Sequence, residues 1–185
     1  MRVRKVAKAV AGIAAVVTVG AYGLVGAQAA PNEFLPFEGT FEGVTTTTGP
    51  GMQDPFGEFL FDGSGTYQAN HLGTGTFESS GTLEYVRHQQ RSHGECAFVD
   101  GSLILTAANG DQLNGNIDED RSALCQLSDE EPENALSTLY VQVEGGTGRF
   151  AEATGWYFVK DTSIAQEPGS QTFDESGYIL GSIEY

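Results

Sequence analysis

The stretch Gly145-Gly146-Thr147-Gly148-Arg149-Phe150-Ala151-Glu152-Ala153-Thr154-Gly155 decides how this chain folds. A run of strand character, Leu139-Tyr140-Val141-Gln142-Val143, enters it, and Trp156-Tyr157-Phe158-Val159 leaves it. Residues 146–151 match the G-x-G-x-x-A form of a dinucleotide fingerprint. That chemistry needs a long helix whose N-terminal amides hold a pyrophosphate. Gly155 and the aromatic run behind it end any helix within about two turns, so the reading is rejected. No Gly-Lys-Ser/Thr is present, and a P-loop fails too. What remains is a tight turn between strands. Gly145, Gly146 and Gly148 allow positive φ and close backbone approach. Thr147 is expected to cap a short turn through its hydroxyl. Phe150 is expected to plug one end of a barrel, with Ala151 and Ala153 leaving it room and Arg149 bonding carbonyls or a carboxylate.

Outward from this turn, short alternating runs recur between Gly signals, and no convincing amphipathic helix appears. Strands are expected at 37–44, 58–69, 74–86, 97–106, 112–117, 138–144 and 155–161, with one or two more between Gln171 and Tyr185. Gly63-Ser64-Gly65 reads as a bulge or bend, and Ser176-Gly177 as a break in the last segment. Phe37, Gly39 and Phe41 share one face, as do Phe59 and Phe61; Leu103 and Leu105 oppose Ile104. Gly81 falls where a curved sheet needs a kink, and Asn109-Gly110 marks a hairpin. The acidic segment 118–136 reads as a long exposed loop tethered by Cys125. About eight strands without crossover helices favour an all-β fold, an antiparallel eight-stranded β-barrel, with a β-sandwich as runner-up.

The first 29 residues read as a signal peptide. Arg2, Arg4, Lys5 and Lys8 precede an apolar run from Ala9 to Gly26, and Ala27-Gln28-Ala29 supplies the small residues of a cleavage site. Residues 30–185 then form a single domain that is secreted, periplasmic or at the cell surface, with no stable membrane anchor. All 25 acidic residues lie in it against five basic ones, Arg87, Arg91, Arg121, Arg149 and Lys160, for a net charge of −20. Such a surface repels nucleic acid and anionic lipid. Cys96 and Cys125, the only cysteines, are expected to form one disulfide in an exported chain. Closing that loop contributes roughly 3–4 kcal/mol by the chain-entropy estimate.

The turn at 145–155 resembles the corresponding turn in the allene oxide cyclase and dirigent barrel superfamily, and more closely that of exported bacterial proteins assigned to this barrel. Ala69-Asn70-His71-Leu72-Gly73 resembles their Ala-Thr-His-Leu-Gly motif, with Asn70 in place of Thr, and Ala107-Ala108-Asn109-Gly110-Asp111 resembles their hairpin turn. The resemblance covers residues from about 37 to 160. The resemblance implies the eight-stranded barrel, and the plant relatives imply a cyclase or isomerase acting on an apolar substrate. The catalytic residues of the cyclases and the pocket residues of the dirigent proteins have no matching positions here, so no active site is carried over. The segment 118–136 departs from the family pattern.

Residue chemistry alone offers few sites. His71 and Tyr67 are the candidate ligand-binding residues; the alternative for His71 is a structural role holding turn carbonyls. His88 and His93 lie on opposite faces of an extended segment and do not converge on a metal. Asn114, Asn116, Asp118 and Asp120 alternate like the start of a calcium loop, but Glu119 takes the turn position where Gly is required. No Gly-x-Ser-x-Gly elbow occurs. No metal, cofactor or catalytic residue is expected. The leading expectation is a non-catalytic module that binds a small apolar ligand or a partner, with 18 aromatic residues after the signal available to line a cavity. The alternatives are a cyclase or isomerase, and a structural exported protein with a filled barrel.

Overall fold

The structure, a computed structural model, describes residues 34–49, 57–85, 96–127 and 134–185. The signal segment, its cleavage point, His88 and His93 lie outside them.

Nine strands follow in chain order: β1 Leu35–Thr48, β2 Glu58–Ala69, β3 Gly73–Tyr85, β4 Cys96–Ala107, β5 Gln112–Ile117, β6 Ala123–Gln126, β7 Ala135–Gly146, β8 Thr154–Ala165 and β9 Thr172–Glu184. All pairings are antiparallel. β5 and β6 occupy successive halves of one position between β4 and β7, so the nine strands close a barrel of eight staves. Closure removes the unpaired edges that a flat antiparallel sheet would leave.

The segment 118–136 is therefore not one long loop. Ala123–Gln126 is strand, a 3-10 turn spans Glu119–Arg121, and β7 begins at Ala135. The acidic residues around it hid a short stave, Ala123-Leu124-Cys125-Gln126, whose backbone pairs with both β4 and β7. Where the stave is interrupted, Ser122 Oγ accepts the Tyr140 N–H at 2.9 Å and Asp118 N donates to Tyr140 O at 3.0 Å. Arg121 folds back over the Tyr140 ring, 3.2 Å from its centroid. Cys96 and Cys125 face each other across β4 and β6 and are bridged, which fastens the short strand to its neighbour.

The two expected breaks are also continuous strand. β2 keeps register through Gly63-Ser64-Gly65, and β9 through Ser176-Gly177. Gly63 makes room for side chains, since a Cβ there would lie 2.4 Å from Ser79 Oγ and 2.6 Å from Thr45 Oγ1; Gly177 allows close backbone approach, since a Cβ there would lie 2.1 Å from Lys160 O. Gly81 likewise lies in unbroken register. It pairs with Gly101, and a Cβ at Gly81 would lie 1.9 Å from Asp100 O, a distance only glycine permits.

Inward positions alternate along every stave, and the core gathers at the end where β2 meets β3 and β7 meets β8. Phe37, Leu113, Ile117, Phe150, Tyr157 and Ile183 are fully buried there. Phe37 and Tyr157 pack edge to face with centroids 5.4 Å apart.

Candidate binding cavity

The closed end is built by the three stretches singled out in the sequence. After β7, a 3-10 turn at Gly148–Phe150 drops the Phe150 ring into the barrel, against Tyr185 at 4.8 Å. Gly145, Gly148 and Gly155 have φ of 94°, 58° and 132°. Gly146 serves close approach, since a Cβ there would lie 1.9 Å from Gln112 O. Gly148 abuts the hairpin, and a Cβ would meet Asp111 Oδ1 at 1.8 Å. Thr147 does not cap the turn; its Oγ1 accepts the Gln112 N–H at 2.9 Å, because β5 offers a donor closer to hand. Arg149 donates to His71 O and pairs with Asp111 at 3.7 Å, engaging both a carbonyl and a carboxylate.

His71 sits in the β2–β3 connection with φ of 65°. Its Nε2 is 3.0 Å from Pro36 O and its Nδ1 is 3.2 Å from the Tyr185 hydroxyl. Asn70 beside it accepts from Glu38 N at 2.8 Å and donates to Pro36 O at 2.9 Å. Tyr67 is buried among the closed-end side chains with its hydroxyl unpartnered, and burial pushes that hydroxyl up to about 12. The turn motif, the Asn70-His71 motif and the Asn109-Gly110-Asp111 hairpin thus form one hydrogen-bonded lid on the barrel.

The other half of the barrel is hollow. A cavity of about 420 Å3 runs in from the end where β1 finishes and β9 begins. Its wall is mainly apolar, with Phe41, Phe61, Phe77, Leu103, Val159 and Ile179 among the lining. Neither His71 nor Tyr67 lines it. The acidic groups instead come from β8 and β9, where Asp161, Ser163 and Glu175 gather beside Thr45 of β1; Ser79 of β3 and Ser137 of β7 add further hydroxyls to the wall. Among the described lining residues Asp161 and Glu175 are the titratable ones, and none carries a positive charge.

Their geometry is specific. Ser163 and Glu175 are cross-strand partners, and Asp161 lies two residues before Ser163 on the same inward face. Ser163 Oγ is 3.4 Å from Asp161 Oδ2 and 3.3 Å from Glu175 Oε1. Glu175 also bonds the Thr45 hydroxyl. Asp161 is 5% exposed, and its Oδ1 has no hydrogen-bond partner. Burial first, then the neighbouring Glu175 charge, raises the Asp161 carboxyl to about 7, against the pull of the Ser163 bond. Burial raises Glu175 as well, opposed by its Thr45 and Ser163 bonds. One serine hydrogen serves one carboxylate at a time, so the second contact is a hydrogen bond only when the acid pair itself carries a proton.

Sequence reasoning missed Asp161, Ser163 and Glu175, although period-two counting from Tyr157 and Val159 reaches 161 and 163. The acidity of the whole chain concealed them. Among the described residues no group of three or more His, Cys, Asp or Glu side chains is arranged to hold a metal ion. None of the described helices is long and apolar enough to cross a membrane. The chain matches no protein-family model, no curated protein and no solved structure.

Proposed function

We propose that this chain is an exported small-ligand-binding module whose ligand sits inside the barrel. The observation that carries this reading is the cavity of about 420 Å3, apolar along its walls and polar at one converging cluster. Small-molecule sites have this character: an apolar body of wall and a few placed polar groups that fix orientation. An eight-stranded barrel has room for one such ligand when its inward side chains are kept small. Here Ser79 is a small residue on the cavity wall, at a position that a larger side chain would fill. The disulfide accords with export to an oxidising compartment, as does the amino-terminal signal pattern. Kinship with the allene oxide cyclase and dirigent-like barrels is part of the proposal; its support is that three separated motifs resembling theirs meet at the closed end.

Native mass spectrometry of the protein secreted by its own host tests the reading. The expected spectrum shows one small molecule per chain, released on denaturation, and a chain beginning at Ala30. Ser79→Trp, which fills the cavity, is expected to emerge without the adduct. Wild-type protein that emerges bare and takes up no apolar molecule would overturn the proposal.

A second reading, a cyclase or isomerase, draws on the same acid pair. A carboxyl titrating near neutrality inside an apolar cavity is suited to general acid–base work. A ring product of biased stereochemistry from an unsaturated fatty-acid epoxide would favour it. Racemic product at the spontaneous rate returns the chain to the binding role.

A further inference from the structure

The cavity's polar cluster is short of hydrogen-bond donors. Asp161 and Glu175 present carboxyl oxygens; the Ser163 and Thr45 hydroxyls and a backbone N–H bond them, and Ser137, the cross-strand partner of Asp161, lines the same space. Asp161 Oδ1 is buried with no partner at all. A buried carboxylate oxygen left without a donor is costly, and the site either holds a proton or awaits a ligand that supplies one. Among the described lining residues no cationic side chain offsets the acids. An anionic ligand head would add a third negative charge in an apolar enclosure and is disfavoured. A ligand carrying positive charge and several N–H donors answers both deficits at once.

Resting on the ligand-binding reading above, we propose that the cavity takes an amphiphilic ammonium ion, its hydrocarbon body among Phe61, Phe77, Leu103 and Val159 and its N–H donors on Asp161 and Glu175. An ammonium has three donors, enough to reach Asp161 Oδ1 while also bonding Glu175. Charge-assisted bonds of this kind are roughly twice as strong as neutral ones. The cation also allows both carboxyls to ionise together, which the empty cavity resists. The acidic chain favours the encounter, drawing cations toward the protein before they enter.

Calorimetric titration of the full secreted chain with octylamine, octan-1-ol and octanoate tests this, since the three share a tail and differ in head group. At about pH 8, where Asp161 is largely ionised, octylamine is expected to bind about tenfold or more tighter than octan-1-ol, with octanoate weakest. At about pH 5.5 the carboxyl is protonated and the preference is expected to shrink. The double variant Asp161→Asn, Glu175→Gln should abolish the preference while still binding octan-1-ol, which also reports that the variant is folded. If octan-1-ol binds wild type as tightly as octylamine, the ammonium assignment is overturned and the binding module stands. If octylamine binding survives in the double variant, it belongs to the acidic surface, and the assignment is again overturned. If none of the three binds, both the assignment and the binding module fall.

Discussion

Phe150→Ala is expected to lower the unfolding free energy by about 3–5 kcal/mol. The ring is fully buried, contacts Tyr185 edge to face at 4.8 Å and carries the Arg149 guanidinium 4.7 Å above it. Truncation leaves a void at the closed end that the surrounding glycines and staves do not collapse to fill, because Gly145, Gly146 and Gly148 are already held against neighbouring backbone and side-chain atoms. The loss should appear in urea denaturation as a lower midpoint with unchanged slope. A change near zero would show that Phe150 is not the plug. The cavity half of the barrel lies away from this ring, so uptake of an apolar molecule by the folded variant should persist.

The second large effect has the opposite sign. Asp161→Asn is expected to stabilise the unliganded protein by about 2–4 kcal/mol at about pH 8 and to have little effect at about pH 4. The sign follows from proton linkage. The Asp161 carboxyl is raised from 3.8 to about 7 in the folded protein. Between those values the folded state holds a proton that the unfolded state has released, so stability from this group falls as pH rises through the window and levels off above it. Three units of pH correspond to at most about 4 kcal/mol. Burial is the largest cause, and Glu175 adds to it, so replacing the carboxylate removes both the desolvation and the repulsion. Melting curves of wild type and variant across this range should converge in acid and diverge in base. Parallel curves would mean that Asp161 titrates as an exposed residue. A side chain that weakens the empty fold at neutral pH, yet lines a cavity, fits a residue retained for binding rather than for packing.

The barrel was legible in the sequence because its devices are local. Alternation placed Phe37, Phe41, Phe59, Phe61, Leu103 and Leu105 on common faces, and Gly155 followed by Trp156 showed that no helix follows the 145–155 turn. The interruption between β5 and β6 was not legible. Composition there is acidic and short of apolar residues, and what makes it a stave is non-local: Tyr140 on β7 exchanging hydrogen bonds with Ser122 and Asp118. The glycines at 63 and 177 misled for a related reason. Glycine breaks a strand when the backbone needs freedom, but here Gly63 clears space for Thr45 and Ser79 and Gly177 lets the Lys160 carbonyl approach, which only the paired stave reveals. The candidate site divides the same way. His71 stood out as a rare residue after a strand, and it holds the turn together through Pro36 and Tyr185. Asp161 and Glu175 were two among 25 acidic residues. Their distinction is burial beside Ser163, a product of the register between β8 and β9.

The claim on which the functional account rests is that the barrel is hollow beyond Ile117 and Ile179. A crystal of the protein pressurised with xenon examines this directly, because an apolar cavity with no side chain filling it takes up the gas. The account predicts xenon density enclosed by Phe61, Phe77, Leu103 and Val159, next to the Asp161 and Glu175 carboxyls. Side chains closed over that space, with no xenon between them, would contradict it.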